Sequence, residues 1–253
     1  PYRSMYTDDL NPEYTCWPPY QNDEMRRKFF AETSPEELAY IQAQYMGKVT
    51  MVDHWLGRIF DTMDRRNLWE NTMVILTTDH GHDLGDGERF GKQYPHYDSH
   101  ANIPLMVWHP DHHDGRRINA LTTAVDLYST ALEGLGVTGF DPVDSRSLMP
   151  VIEGRTETHR EGVLYGTFGT GVCCTDGAFN LYKGWNNDEP LNRYSTGFLG
   201  VPPEGTEGGR FMPGVDCPVW RIPANQGKGC EDILVRRDDP DLVPENILES
   251  HSE

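Results

Sequence analysis

The residues able to do chemistry gather in one glycine-punctuated loop. Thr72–Thr78 (TMVILTT) is a continuous β-branched and aliphatic run, and Asp79 and His80 follow it directly. A carboxylate and an imidazole are good ligands for a divalent cation. At a strand end the chain turns, here helped by Gly81, so both side chains can converge on one ion. Two ligands do not hold an ion, and the rest must come from elsewhere. The plain alternative is that Asp79 caps the next turn and His80 is a satisfied core histidine.

Lys92, in Phe90–Gly91–Lys92, offers an ammonium that can grip an anionic oxygen as a point charge; its plain alternative is a solvated surface lysine. His82 and His100 flank the loop and could line a pocket or donate a proton. His96 adds an imidazole without an assigned role. His109, His112 and His113 sit in a polar turn and carry none. The candidate metal ligands are therefore Asp79 and His80, and the candidate catalytic residues are Lys92, His100 and His82.

Those residues need a scaffold. In open α/β sheets function collects at the carboxyl ends of strands. Thr72–Thr78 reads as a strand covered on both faces, and Ile103–Trp108 (IPLMVW) as a second one. Upstream, Ser34 and Glu37 form a capping box with Pro35 at the first helical position. From there Leu38, Ile41, Tyr45, Val49, Val52, Leu56, Ile59 or Phe60 and Met63 recur at helical spacing, which predicts one buried stripe. Asp126 is placed to cap a helix through Leu127, Leu132 and Leu135, with Gly136 as its stop. Helix, strand, long loop, strand and helix predict an α/β fold with a parallel sheet.

The ends of the chain read differently. Residues 1–33 form a proline-bearing lead, in which Pro18 and Pro19 remove two backbone donors. Beyond Arg160, the segments Gly162–Thr167, Val172–Asp176 and Ala178–Lys183 predict a small antiparallel sheet. From Gly184 onward the sequence reads as a long irregular tail wrapped on a core, with Phe211, Trp220 and Ile222 needing burial. The expected division is 1–158 and 159–253.

A chain of 253 residues, 37% hydrophobic and 25% charged, suits a globular protein. Its formal net charge of −18 repels nucleic-acid phosphates and anionic lipid headgroups, so neither is an expected partner. No apolar run reaches bilayer length. The five cysteines, Cys16, Cys173, Cys174, Cys217 and Cys230, are odd in number and lack CxxC spacing, which indicates neither a zinc site nor a paired disulfide framework. The chain opens on Pro1 without a signal-peptide pattern, which suggests upstream removal or a piece of a longer chain.

Asn71–Lys92 (NTMVILTTDHGHDLGDGERFGK) resembles the carboxy-terminal signature of sulfatases, a family of the alkaline phosphatase superfamily, in which Asp-His-Gly or Asp-Asn-Gly follows a buried strand and Gly-Lys comes soon after. The surrounding order is similar too: Tyr45…Asp53…Gly57 upstream, then Tyr97–Pro104, Val125–Asp126–Leu127, Leu135–Gly136, Ser147–Leu148 and Gly154. Tyr165–Gly166, Asp176–Gly177 and Cys217–Trp220 resemble tail elements of one branch. The resemblance implies part of an alkaline-phosphatase-like sandwich with a mostly parallel central sheet, plus the small antiparallel sheet and tail. It implies that Asp79 and His80 ligate a divalent metal, usually calcium with manganese as the alternative, and that Lys92 contacts the sulfate or phosphate group.

The family nucleophile, a formylglycine made from a C/S-x-P-x-R motif, is not found. Cys16–Tyr20 has the cysteine and proline spacing, but Tyr20 stands where arginine is required. The chain therefore reads as a carboxy-terminal portion, inactive alone and expected to partner an amino-terminal half bearing the formylglycine. The implied reaction is sulfuric ester hydrolysis, with the aromatic and histidine content of 94–113 suited to a carbohydrate. A phosphonate monoester or phosphodiester hydrolase and a non-catalytic glycan-binding pseudoenzyme are the alternatives. The compartment stays open, with periplasmic or secreted placement slightly favoured.

Overall fold

The computed structural model describes residues 2–7, 28, 31–85, 89–92, 94–141, 144–167, 171–184, 191–197, 201–211, 216–223, 231–238 and 245–251. The proline-rich stretch around Cys16, and Cys230, lie outside them. The chain divides into two compact units, Pro1–Val163 with Asp239–Pro244, and Leu164–Asp238 with Glu245–Glu253.

In the first unit, helix α1 spans Pro35–Arg65. The capping box is present: the Ser34 hydroxyl accepts from the Glu37 amide at 3.2 Å, and the Glu37 carboxylate accepts from the Ser34 amide at 2.7 Å. Two otherwise orphaned donors are satisfied at once. The expected single buried stripe is only partly realised. Tyr40, Ile41, Ala43, Gly47 and Met63 are buried, whereas Val49, Val52 and Ile59 are more than half exposed. Helical periodicity fixes which residues share a face; it does not fix how far along the helix that face finds cover. At Gly47 a Cβ would come within 2.3 Å of the Tyr2 carbonyl oxygen, so only glycine admits the turn Tyr2–Ser4 against the helix.

Strand β1, Val74–Thr77, precedes the loop. The loop contains the short pair β2, Asp83–Leu84, and β3, Phe90–Gly91, and one turn of helix α2, Asp98–Ala101. Strand β4, Leu105–Trp108, then returns along β1 with Val74 opposite Trp108 and Thr77 opposite Leu105. This pair is antiparallel, and so is β2 with β3. The expectation of a mostly parallel central sheet is thus wrong: every registered strand pair among the described residues is antiparallel. A buried apolar run reports cover on both faces and says nothing of direction. Parallel pairing needs a crossover, usually a long helix, and the segment between β1 and β4 folds into a hairpin and a single helical turn.

Helix α3, Asp126–Gly134, ends as its glycine predicts. Gly136 has φ +72, its amide bonds to Glu133 O at 2.9 Å, and the Val137 amide bonds to Leu132 O at 2.9 Å. Its start is not as predicted. Val125 occupies the cap position without a side-chain cap bond, and Asp126 is the first helical residue. Helix α4, Met149–Ile152, follows.

In the second unit, which begins at the second residue of β5 (Val163–Gly166), that strand, β6 (Val172–Thr175) and β7 (Phe179–Lys183) match the three predicted short strands. The four-stranded sheet has the order β11-β7-β6-β5, with β11 (Ile233–Arg236) drawn from the segment expected to be irregular. That segment also supplies β8 (Asn192–Ser195), β9 (Glu207–Gly209) and β10 (Val219–Pro223), in the order β8-β10-β9. The long irregular tail is therefore corrected to four strands, of which β8 (NRYS) and β9 (EGG) are polar or glycine-rich while β10 (VWRIP) and β11 (ILVR) are largely apolar. Their order comes from pairing, as where Trp220 covers Gly208 so closely that a Cβ would meet its ring at 3.0 Å. Ile222 is buried, whereas Trp220 remains 38% exposed.

Candidate functional site

Asp79 and His80 leave the end of β1 where the chain turns. The turn depends on Gly81: its amide bonds to the His100 carbonyl at 2.8 Å, and the His82 amide bonds to the Ser99 carbonyl at 3.1 Å. A Cβ on Gly81 would sit 2.0 Å from the Ser99 oxygen. The close approach brings the two ends of the loop together, and with them His80 and His100, whose rings meet edge-on at 5.6 Å.

The Asp79 carboxylate is exposed and turns back on its own neighbour. It accepts the His80 amide at 3.0 Å and the Thr78 hydroxyl at 3.3 Å. Desolvation, the largest influence on this carboxyl, would raise it. The His80 charge, the amide bonds and the Thr78 hydroxyl together hold it below the ordinary carboxylate value. His80 Nδ1 lies 2.8 Å from the Gly81 carbonyl oxygen. A carbonyl only accepts, so Nδ1 carries the proton. His80 Nε2 then lies 3.2 Å from Asp79 Oδ2. Unless Nε2 is also protonated, two lone pairs face each other there, an arrangement that a cation between them relieves. The donor set, one carboxylate and one imidazole of fixed tautomer, fits a divalent metal. Among the described residues no group of three or more His, Cys, Asp or Glu is gathered to hold a metal.

The rest of the loop is pinned by a buried charge. Asp83 is 1% exposed, accepts the Ser99 hydroxyl at 2.6 Å and pairs with Arg89 Nε at 3.4 Å. Arg89 also donates to the Pro95 carbonyl at 2.5 Å, and its guanidinium lies over the Tyr97 ring at 4.7 Å. Burial raises the Tyr97 phenol, against the opposing pull of Arg89. One carboxylate thereby ties β2, the approach to β3 and the start of α2 into one unit. Helix α1 backs it: Tyr45 stacks on His82 at 6.2 Å, and the Gln42 amide donates to Leu84 O at 2.9 Å.

Of the three catalytic candidates, Lys92 is exposed just after β3. Its charge reaches His82 and His100, depressing both imidazoles. For His82 burial is the main cause of the depression, opposed by Asp83. His100 is buried and is pushed down to about 4, chiefly by burial, then by His96, with Asp83 opposing and His80 and Lys92 adding to the fall. At neutral pH His100 is a neutral imidazole.

The structure thus gathers Asp79, His80, His82, Lys92 and His100 about one loop. Sequence reasoning missed the Asp83–Arg89–Ser99 network and gave His96 no role. An acidic residue and an arginine in a glycine-rich stretch read as solvated, and only their burial reveals the network. It also read Asp126 as a helix cap. That side chain is instead fully buried, accepting from the amides of Thr123 (3.1 Å) and Arg146 (2.9 Å), His159 Nε2 (3.0 Å) and two nitrogens of Arg160.

The loop lies within the part of the chain that matches a known family. Residues 8–137 match the family described as Sulfatase. The multifunctional alkaline phosphatase superfamily protein PehA of Trinickia caryophylli is 35% identical over 133 residues, 49% of this chain and 26% of that protein. Arylsulfatase K of Xenopus laevis is 30% identical over 154 residues, 60% of this chain and 26% of its own length. An arylsulfatase of Clostridium perfringens is 27% identical over 170 residues, 63% of this chain and 35% of its own. The chain spans between a quarter and somewhat over a third of these relatives. Among solved structures, one in complex with its substrate D-glucosamine-2-N,6-O-disulfate aligns with TM-score 0.53 at 21% identity, covering 66% of this chain and 37% of that one. Another, from a glycosaminoglycan-metabolising locus of Bacteroides thetaiotaomicron, aligns with TM-score 0.51 at 19% identity, covering 79% and 40%. At these identities the likeness is one of fold.

The position of the family match corrects the expectation of a carboxy-terminal portion lacking an amino-terminal half. The match covers the amino-terminal part of this chain, from residue 8 to 137. With more than half of its residues matched to that family, the chain belongs to the sulfatases.

Proposed function

We propose that this chain serves hydrolysis of sulfuric esters, with Asp79 and His80 holding a divalent cation and Lys92 gripping the oxygens of the transferred group. The observation that carries the reading is the Asp79–His80 pair: His80 Nδ1 is committed to the Gly81 carbonyl, and Nε2 faces Asp79 Oδ2 at 3.2 Å. Calcium is the expected ion; the imidazole nitrogen, softer than calcium prefers, keeps manganese as the alternative. The ion would supply Lewis acidity to the ester oxygens. Lys92 adds a point charge that needs no reorganisation as negative charge develops. His82 and His100, both biased to the neutral form, present N–H or lone-pair groups without adding positive charge. Sulfated carbohydrate is the substrate class proposed, in keeping with the disulfated glucosamine bound by the similarly folded protein.

A second reading is favoured by the similarity to a multifunctional superfamily member: phosphonate monoester or phosphodiester hydrolysis on the same loop. The test is turnover of aryl sulfates and aryl phosphodiesters with added calcium or manganese, comparing the native protein with Lys92→Ala. The reading expects metal-dependent sulfate release that falls about 10²–10³-fold in the variant. Turnover indifferent to Lys92 would sink it; faster phosphodiester cleavage would select the second reading; metal binding without cleavage of either would leave a glycan-binding role.

A further inference from the structure

His96 and His100 are 5% and 7% exposed, and their Nδ1 atoms lie 2.8 Å apart. Their rings cross at 87° with centroids 4.4 Å apart. Two ring nitrogens at that distance need a proton between them, and two neutral rings share one. One ring is then protonated at Nδ1 and the other at Nε2, so the two hold opposite tautomers. The backbone of His100 is already fixed, its amide bonded to Tyr97 O at 2.9 Å and its carbonyl to the Gly81 amide at 2.8 Å. What remains free is the orientation of its ring and the choice of nitrogen that carries the proton. His96 is itself wedged on its other side, against Tyr94 at 5.6 Å.

We infer that His96 is a positioning residue for His100: the shared Nδ1–Nδ1 bond fixes the plane of the His100 ring that lies against His80 and ties its tautomer to the opposite of that of His96. The inference deepens the proposed function and, for its catalytic consequence, rests on that reading. Through His96 the ring of His100 is held from rotating, and its Nε2 is a donor when His96 supplies the shared proton and an acceptor when His100 does. An outer hydrogen-bond partner of this kind is the usual device for orienting a functional imidazole.

The test is the tautomer itself, read from imidazole nitrogen–proton correlation spectra of metal-free, ¹⁵N-labelled protein near neutral pH. The native protein is expected to show one tautomer for each ring, and opposite ones. His96→Phe is expected to turn His100 into a mixture of tautomers, and His96→Asn, which can return a hydrogen-bonding atom near Nδ1, to restore one. Like tautomers in the native protein overturn the inference even if His96→Phe does not fold, and so does a His100 signal unmoved by that substitution. On a sulfate ester, His96→Phe is expected to lower kcat about 10–100-fold with little change in KM. A native protein without turnover would sink the functional reading while the tautomer result still decides the positioning claim.

Discussion

Two aspartate–histidine pairs in this chain have nearly the same contact and opposite surroundings. In the pair Asp79–His80, Nε2 and Oδ2 are 3.2 Å apart; in Asp126–His159 they are 3.0 Å apart. Asp126 is fully buried, and Arg160, His159 and two backbone amides fill its lone-pair directions. Asp79 is 82% exposed in its side chain, and its partners among the described residues are its own neighbours Thr78 and His80. A buried carboxylate survives only when its charge is fully met, so the second pair is spent on holding α3 to the segment at 159–160. The first pair keeps its charge open to solvent beside a ring whose other nitrogen is already committed. The contact distance does not separate the two pairs; the number of competing donors does.

The comparison breaks first at Asp126. Asp126→Ala strands the Arg160 guanidinium, whose side chain is 14% exposed, without its carboxylate. The expected loss of stability is about 3–5 kcal/mol, read as a lower urea midpoint with unchanged slope. A loss no larger than that of an average surface substitution would mean the cluster is not holding the helix.

Acid should separate the two regions next. In the loop, His100 falls from 6.5 to about 4 on folding, mainly through burial. Between those values the unfolded chain binds a proton that the folded one refuses, so stability is full above the higher value and declines as pH falls to the lower. The decline amounts to up to about 3 kcal/mol. Asp126 is also depressed, below 3.8: burial would raise it, and the Arg160 hydrogen bond with the amides of Arg146 and Thr123 outweighs burial. Its stabilisation is present above that value and is lost only as pH falls through the lower folded one. Unfolding of the metal-free protein against pH should therefore show two limbs. His100→Gln should flatten the upper limb and leave the lower; a His100→Gln profile identical to the native one would contradict the burial of that imidazole.

What the sequence disclosed, and what it did not, follows the same division. Local signals carried through: the Ser34–Glu37 box, the Gly136 stop and the three short strands from Val163 to Lys183 all act within a few residues. Direction did not carry through, because TMVILTT and IPLMVW are equally apolar in a parallel or an antiparallel pair. The four strands after Gly184 were hidden because Asn192–Ser195 and Glu207–Gly209 have no apolar alternation, and their pairing with Val219–Pro223 is a long-range fact. At the candidate site, Asp79, His80 and Lys92 stood out through the glycine-punctuated loop and its resemblance to the sulfatase signature, not through residue type alone. The support from Asp83, Arg89 and Ser99 did not, since a polar residue in a glycine-rich loop looks solvated until its burial is seen. Asp126 was misread for the same reason: a first-turn aspartate resembles a cap until Arg160, far along the chain, is found beside it.

The smallest effect on the fold is expected at Asp79, and it sharpens the comparison most. Asp79→Asn removes an exposed charge whose partners are the amide and ring of His80 and the Thr78 hydroxyl. Nothing buried is left unpaired, so the melting temperature of the metal-free protein should match that of the native chain. Added calcium or manganese is a different matter. A ligand that binds only the folded state raises its stability with concentration. The native protein should therefore melt higher as metal is added, and Asp79→Asn should not. If the variant melts lower without metal, Asp79 is a structural carboxylate like Asp126. If both proteins respond equally to metal, the ion binds elsewhere, and the open charge of the Asp79–His80 pair has no part in holding it.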